Sequence, residues 1–417
     1  MIQLVETSEE SSFLLVADHV ATLLNGEGEA TPSSPGVKLL ETCSALLAEE
    51  NYEGFLSQVM PHLSAVFASC SDKDCECVSA ILVNAILRVP EASTAVCACA
   101  LAAALGDKVD ERADERLSAL LNLYAITTRL EVQLPVLMAA AAYAKRSPRT
   151  ATLMTSVVTS SGMNTEAWSK AMRLSDGQAR DLFLALAELV KASELRFADK
   201  EHLRLIINAL KLVPEGDAAG LAQLKPHAVT AVADYMKNPL LFQSDLGELP
   251  AVRQLASDAQ TAPLYKLMTT MLGGDLAAYR AAATPAALQL SGMTAEAALH
   301  KARMAALLAL GNRAGHDEVT FAEIQAALDI TEDQVELFVV KAIGAKLLEG
   351  KIDQIRGAVS ITRCSMRTFG PAAWTTVRAR LATWREALVS VQQNLAANKA
   401  GAASAGVPSR GAQAIQV

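Results

Sequence analysis

Apolar residues return every three or four positions along most of this chain, and that period admits amphipathic helices and little else. After Ser175, placed as an N-cap, Leu182, Ala185, Leu186, Leu189 and Val190 stand at i, i+3, i+4, i+7 and i+8. Leu203, Ile206, Ile207 and Leu210 repeat the spacing, and Pro214 closes that segment. The same period predicts helices over 111–127, 134–146 and 262–272. Hydrophobic residues make up 51% of the 417 residues but aromatic ones only 4%, so Ala and Leu must fill the core, which suits closely packed helices. Breaks such as "RSPR", "VPEGD" and "KNPLL" recur every few tens of residues without a strict repeat. The chain is therefore expected to be mainly α, with a right-handed solenoid of degenerate helical pairs over 37–293. A flexible or partly helical segment, 1–36, precedes it and ends in the linker-like "NGEGEATPSSPG" of 25–36.

From Thr294 the order of elements changes. A helix over 295–310 ends near Gly311, "EVTF" is a short extended piece, and 322–328 is a brief helix. Thr331 and Gln334 predict a capping box for the next helix, 332–347, with Val335, Phe338, Val339, Ala342 and Ile343 on its core face. "LLEGKIDQIRGAVSITR" then turns β-branched and alternating, with a strand near 351–355, a turn at Arg356-Gly357 and a strand near 358–363. Helix, strand, helix, helix and a two-stranded wing is the order of a winged-helix module, here 294–368. A long helix, 369–400, opens on Pro371. Along it Trp374, Val377, Leu381, Trp384, Leu388, Val391 and Leu395 alternate steps of three and four, an a/d seam of about three heptads. Residues 401–417 are Gly-, Ala- and Ser-rich and expected to be disordered.

Chemistry finds little support. The net charge of −8 argues against a general polyanion binder. Seven cysteines include Cys70, Cys75, Cys77, Cys97 and Cys99, but Cys-x-Cys spacing is wrong for zinc knuckles and points the two thiols of a helical pair apart. They are expected to be small, buried and reduced, in cytosol or nucleus. His19, His62, His202, His227, His300 and His316 are scattered, with no His-Glu-x-x-His, so no metal or other cofactor is expected. Gly344 and Gly350-Lys351 miss the phosphate-loop spacing, with Ile352 where Ser or Thr belongs, and no nucleophile elbow appears. The N-terminus is acidic, unlike a signal peptide, and the longest apolar run, 95–105, is too short for a bilayer. A non-enzymatic, cytoplasmic protein that works by contact is the expectation.

Winged helices often read nucleic acid, and Lys351, Arg356, Arg363 and Arg367 form a basic strip around the wing. Against that, the helix end that would enter a groove carries Thr331, Glu332 and Asp333, with Glu336 one turn on. The surfaces expected to meet partners are the wing edge, with Lys351, Ile352, Gln354, Arg356, Val359 and Ile361, and the seam on the terminal helix, Trp374 to Leu395.

Degenerate helical repeats, a wing reading "GKIDQIRGAVSI" and a long terminal helix together resemble PCI-domain proteins, which build the proteasome lid, the COP9 signalosome and eukaryotic translation initiation factor 3. The runs "RTFGPAAW" at 367–374, "LATWREAL" at 381–388, "KNPLLFQSDLGELPAVRQL" at 237–255 and "ARMAALLALG" at 302–311 are similar to those of PCI subunits of the initiation factor. The resemblance covers the chain from about Asp234. It implies a non-catalytic scaffold whose winged helix aligns edge to edge with other PCI domains and whose last helix joins a bundle. Implied partners are other PCI and MPN subunits (the A, C, F and H subunits among them) and, through the complex, the small ribosomal subunit. Membership of the signalosome or proteasome lid, and a winged-helix protein binding RNA or DNA alone, are the alternatives.

Overall fold

The computed structural model describes residues 12–25, 34–109, 111–160, 170, 172–242, 245–314, 318–367 and 371–404. Two compact units divide the chain, Met1–Ala231 and Val232–Val417.

In the first unit, helix Ser12–Asn25 buries Phe13, Val16, Ala17, Val20 and Ala21 and packs on helix Pro35–Ala48. The linker-like segment is thus shorter than its composition implies, because Pro35 and Gly36 already belong to a helix. Residues 26–33 lie outside the described residues. Helices Asp72–Arg88, Glu91–Leu105, Ala113–Ile126, Leu130–Ala144 and Pro148–Ser160 follow. Nearly every one of these touches both its successor and the helix after that, the packing expected of stacked helical pairs. Ser175 is the N-cap expected of it, in a full capping box with Gln178, and helix Asp176–Ala192 packs on Ala198–Lys211. The alternating thiols separate as helical spacing requires: Cys75 and Cys97 are buried, whereas Cys77 and Cys99 are exposed, contrary to the expectation that all are buried.

Cations close several helix ends. Arg116, with no exposed surface, donates from Nε to Glu111 O at 3.0 Å and from Nη1 to Leu105 O at 2.9 Å, its guanidinium 4.4 Å from the Phe67 ring centre. Arg146 Nη1 donates to Gly106 O at 2.8 Å, and Arg112 Nε to Phe67 O at 2.8 Å. The last carbonyls of a helix lack intrahelical donors and carry partial negative charge, so a cation there gains hydrogen bonds and dipole energy together. Burial lowers the Arg116 pKa from its ordinary value.

The second unit uses the same device. Lys301, 3% exposed on helix Ala295–Ala314, donates to Tyr235 O, to Met236 O at 3.1 Å and to Asn238 O at 2.7 Å, at the end of helix Ala218–Lys237. Arg303 Nε closes helix Phe321–Leu328 through Leu328 O at 3.0 Å. The helix over 295–314 does not stop at Gly311 as expected. That glycine lets strand Ala358–Cys364 approach, since a Cβ there would stand 3.1 Å from Cys364 Sγ and 3.3 Å from Ile361 Cδ1.

Candidate partner interface

The winged helix is assembled from helix Ala295–Ala314, β1 (Glu318–Thr320), helix Phe321–Leu328, helix Glu332–Gly344, β2 (Leu348–Asp353) and β3 (Ala358–Cys364). The sheet order is β1-β3-β2, antiparallel throughout, so β2 is the long free edge. β2 starts earlier and ends earlier than the apolar alternation predicts. The register slips between Glu349 and Gly350, and a Cβ on Gly350 would stand 2.5 Å from Ser360 O, so only glycine allows the strands to meet there. The reverse turn is closed by Asp353, whose Oδ1 accepts from Ile355 N and Arg356 N at 3.1 Å each, and Gly357 takes φ of +60°. Thr331 is an N-cap by position but its side chain makes no cap bond; the capping box forms at Thr320 and Glu323 instead.

The expected wing-edge residues divide into three groups. Lys351 and Ile352 lie on the free edge, exposed and half-buried respectively. Gln354 and Arg356 are in the turn, where Gln354 Nε2 donates to Glu336 Oε1 at 2.6 Å and Arg356 Nη1 to Glu318 Oε1 at 3.0 Å. Val359 and Ile361 cannot serve as edge residues. They lie on the middle strand and are 1% and 2% exposed, because β1 pairs with the side of β3 that a two-stranded hairpin would leave open. Ile355, read as a strand residue, projects from the turn at 99% exposure.

The basic strip does not assemble as the sequence implied. Arg356 pairs with Glu318 and Arg363 with Glu349, both at 3.0 Å, while Arg367 is half-buried and its Nη1 donates to Leu272 O. Burial lowers the Arg367 pKa from its ordinary value. Asn312 Nδ2 donates to Ser365 O at 2.9 Å, and with Arg367 this ties the exit from the sheet to the body of the unit.

Helix Glu332–Gly344 buries Val335, Phe338, Val339 and Ala342 as its period predicts, with Ile343 half-buried. Its outward face carries Asp333, Leu337 and Val340, the last two 52% and 56% exposed. That pair was missed in the sequence, although two apolar residues lying off the core stripe were the available signal. The acidic first turn, with Glu332 and Asp333, disfavours phosphates, and the one cation of this helix, Lys341, stands in its last turn.

Helix Pro371–Ser404 extends past 400 into the stretch expected to be disordered; residues 405–417 lie outside the described residues. The seam is largely uncovered. Leu381, Trp384, Leu388, Val391 and Leu395 are all more than half exposed, as is Trp374, and Val377 is half-buried. Arg378, Arg380 and Arg385 flank the seam against one acid, Glu386. Among the described residues no group of three or more His, Cys, Asp or Glu is placed to hold a metal ion, and no helix is long and apolar enough to cross a membrane.

Residues 293–363 match the PCI domain family model, and they span this three-stranded winged helix. The chain carries a PCI domain. The chain is also similar to proteins named eukaryotic translation initiation factor 3 subunit M. The one from Aspergillus terreus is 31% identical over 230 residues, 54% of this chain and 49% of that protein. The one from Nematostella vectensis is 26% identical over 199 residues, 47% of this chain and 50% of its own. The chain thus spans about half the length of these relatives.

Proposed function

We propose that this chain is a non-catalytic scaffold subunit of eukaryotic translation initiation factor 3, acting in the cytoplasm. Its winged helix and last helix hold it among the PCI and MPN subunits, including A, C, F and H, and so support initiation on the small ribosomal subunit. One observation carries the reading. A PCI domain leads into a helix whose apolar seam is largely exposed, Trp384 at 71% and Leu388 at 64%. Exposed apolar surface of that extent is a docking feature. The working boundaries are 294–368 for the winged helix and 369–400 for the docking helix, with the helical pairs of 37–293 presenting further surface. In this assembly the free edge of β2, through Lys351 and Ile352, and the turn, through Gln354, Ile355 and Arg356, meet a neighbouring winged helix.

Purification of the tagged chain from its own cells, with co-purifying proteins identified by mass spectrometry, tests this. Initiation-factor subunits are expected. Recovery of signalosome or proteasome-lid subunits would overturn it, as would a chain recovered alone that binds RNA or DNA in a salt-sensitive way. Trp384→Ala with Leu388→Ala should weaken incorporation by about 2 kcal/mol or more, roughly thirtyfold, as loss of a buried aromatic anchor does. The isolated chain should keep its melting temperature, because these side chains are 71% and 64% exposed. Undiminished incorporation would remove the seam from the interface.

A further inference from the structure

In the first unit, His19 Nε2 lies 2.7 Å from Cys70 Sγ. His19 is on helix Ser12–Asn25, and Cys70 closes helix Leu63–Ser69, immediately before Ser71, the N-cap of helix Asp72–Arg88. We propose that His19 and Cys70 form an imidazole-activated thiol, a modification site that reacts with hydroperoxides to give a sulfenic acid on Cys70.

Three placements support this. The imidazole nitrogen is within reach of the thiol proton, and among the described residues no other cysteine has an imidazole as hydrogen-bond partner. Cys70 lies at the junction of two helices, as the C-cap of Leu63–Ser69 and the residue before Ser71, the N-cap of Asp72–Arg88. The backbone beside the sulfur is pinned, since Arg112 Nη2 donates to Cys70 O while its Nη1 pairs with Asp72. Cys70 itself is 5% exposed, but Ser69 and 71–74 on either side of it are exposed, so a small oxidant has a short approach.

The remaining thiols lack this arrangement. Burial raises the pKa of Cys43 and Cys97 and pushes Cys75 and Cys364 up to about 11. Cys77 and Cys99 are exposed. The charged groups around the pair are Asp72 with Arg112, Asp74 held by Ser71, and, around neighbouring Cys75, Glu115 and Arg116.

In the reaction the Cys70 proton passes to His19 Nε2 and the thiolate attacks one peroxide oxygen. The S–O bond forms as the O–O bond breaks, and the departing hydroxide or alkoxide takes a proton from the imidazolium and leaves as water or alcohol. Sulfur is oxidised by two electrons and the peroxide reduced by two.

The test treats the full chain with limiting hydrogen peroxide and traps sulfenic acids with a selective carbon nucleophile, quantified site by site by mass spectrometry. Cys70 should be labelled at least tenfold faster than exposed Cys77 and Cys99. His19→Asn should slow Cys70 at least tenfold at neutral pH and leave Cys77 and Cys99 unchanged. Its Cys70 rate should then climb with pH as that of an unassisted thiol does. Faster labelling of Cys77 and Cys99 in the unaltered chain would overturn the proposal without any variant. So would a Cys70 rate and pH profile indifferent to His19→Asn in a folded protein.

Discussion

Lys301 allows a sharp test of how this fold tolerates a buried charge. Its ammonium reaches three carbonyls and lies 4.5 Å and 5.6 Å from the ring centres of Tyr235 and Phe242, and among the described residues no carboxylate forms an ion pair with it. Desolvation pushes its pKa down from 10.5 to about 7, while the carbonyls, the ring faces and the helix dipole act in favour of the cation. If desolvation prevails, the unfolded chain binds more protons than the folded one between pH 7 and 10.5, so stability must rise with pH across that window. With those two values the gain from pH 7 to pH 9 is about 2 kcal/mol, within the limit of ~1.4 kcal/mol per pH unit for one group. Lys301→Met keeps most of the volume and removes the titration, leaving a loss that does not vary with pH. Neighbouring titrations, including that of His300, whose pKa burial lowers, largely cancel in the difference. Tyr235 titrates far above its ordinary range, because burial raises it, and does not enter below pH 9. The assay is chemical denaturation at several pH values, with the transition of the second unit followed by limited proteolysis. The wild type should gain on the variant steadily from pH 7 to 9. A difference that stays flat would show that the carbonyl cage holds the ammonium fully charged, and would refute the dominance of desolvation.

Two further outcomes are expected. Gly350→Ala should cost about 1–3 kcal/mol through forced displacement of β2 from β3. A fall in the denaturation midpoint at unchanged slope would show this, and an unaltered midpoint would mean the edge strand yields freely. Thr320→Ala should raise the Glu323 carboxyl pKa, which the backbone and side-chain hydrogen bonds of Thr320 hold below its ordinary value. Glu323 contributes stability above its unfolded pKa, lost as pH falls through the lower folded value, and that acid-side dependence should shrink in the variant. NMR titration of labelled glutamate side chains checks both.

The order of elements was legible because helical period and turn residues act locally. Ser175 with Gln178, and the stripe of Val335, Phe338, Val339 and Ala342, are found where the spacing puts them. What escaped depends on partners distant in sequence. Arg116 and Lys301 are charged residues with no sequence signal for burial, yet each is buried, because its partners are helix-end carbonyls that any residue can supply. Val359 and Ile361 looked like an edge until β1, some forty residues earlier, was paired beside them.

The helix before the wing shows how the two kinds of information combine. Periodicity correctly assigned its core stripe but left Leu337 and Val340 unexplained. The fold places both outward, on the helix whose acidic first turn already disfavours phosphates. A helix with an acidic first turn that exposes two apolar side chains is suited to another protein. With Ile355 at the turn and the seam of the last helix, it makes three apolar features exposed on one unit. A protein working alone would gain nothing from keeping so much apolar surface in water, whereas a subunit buries it on assembly.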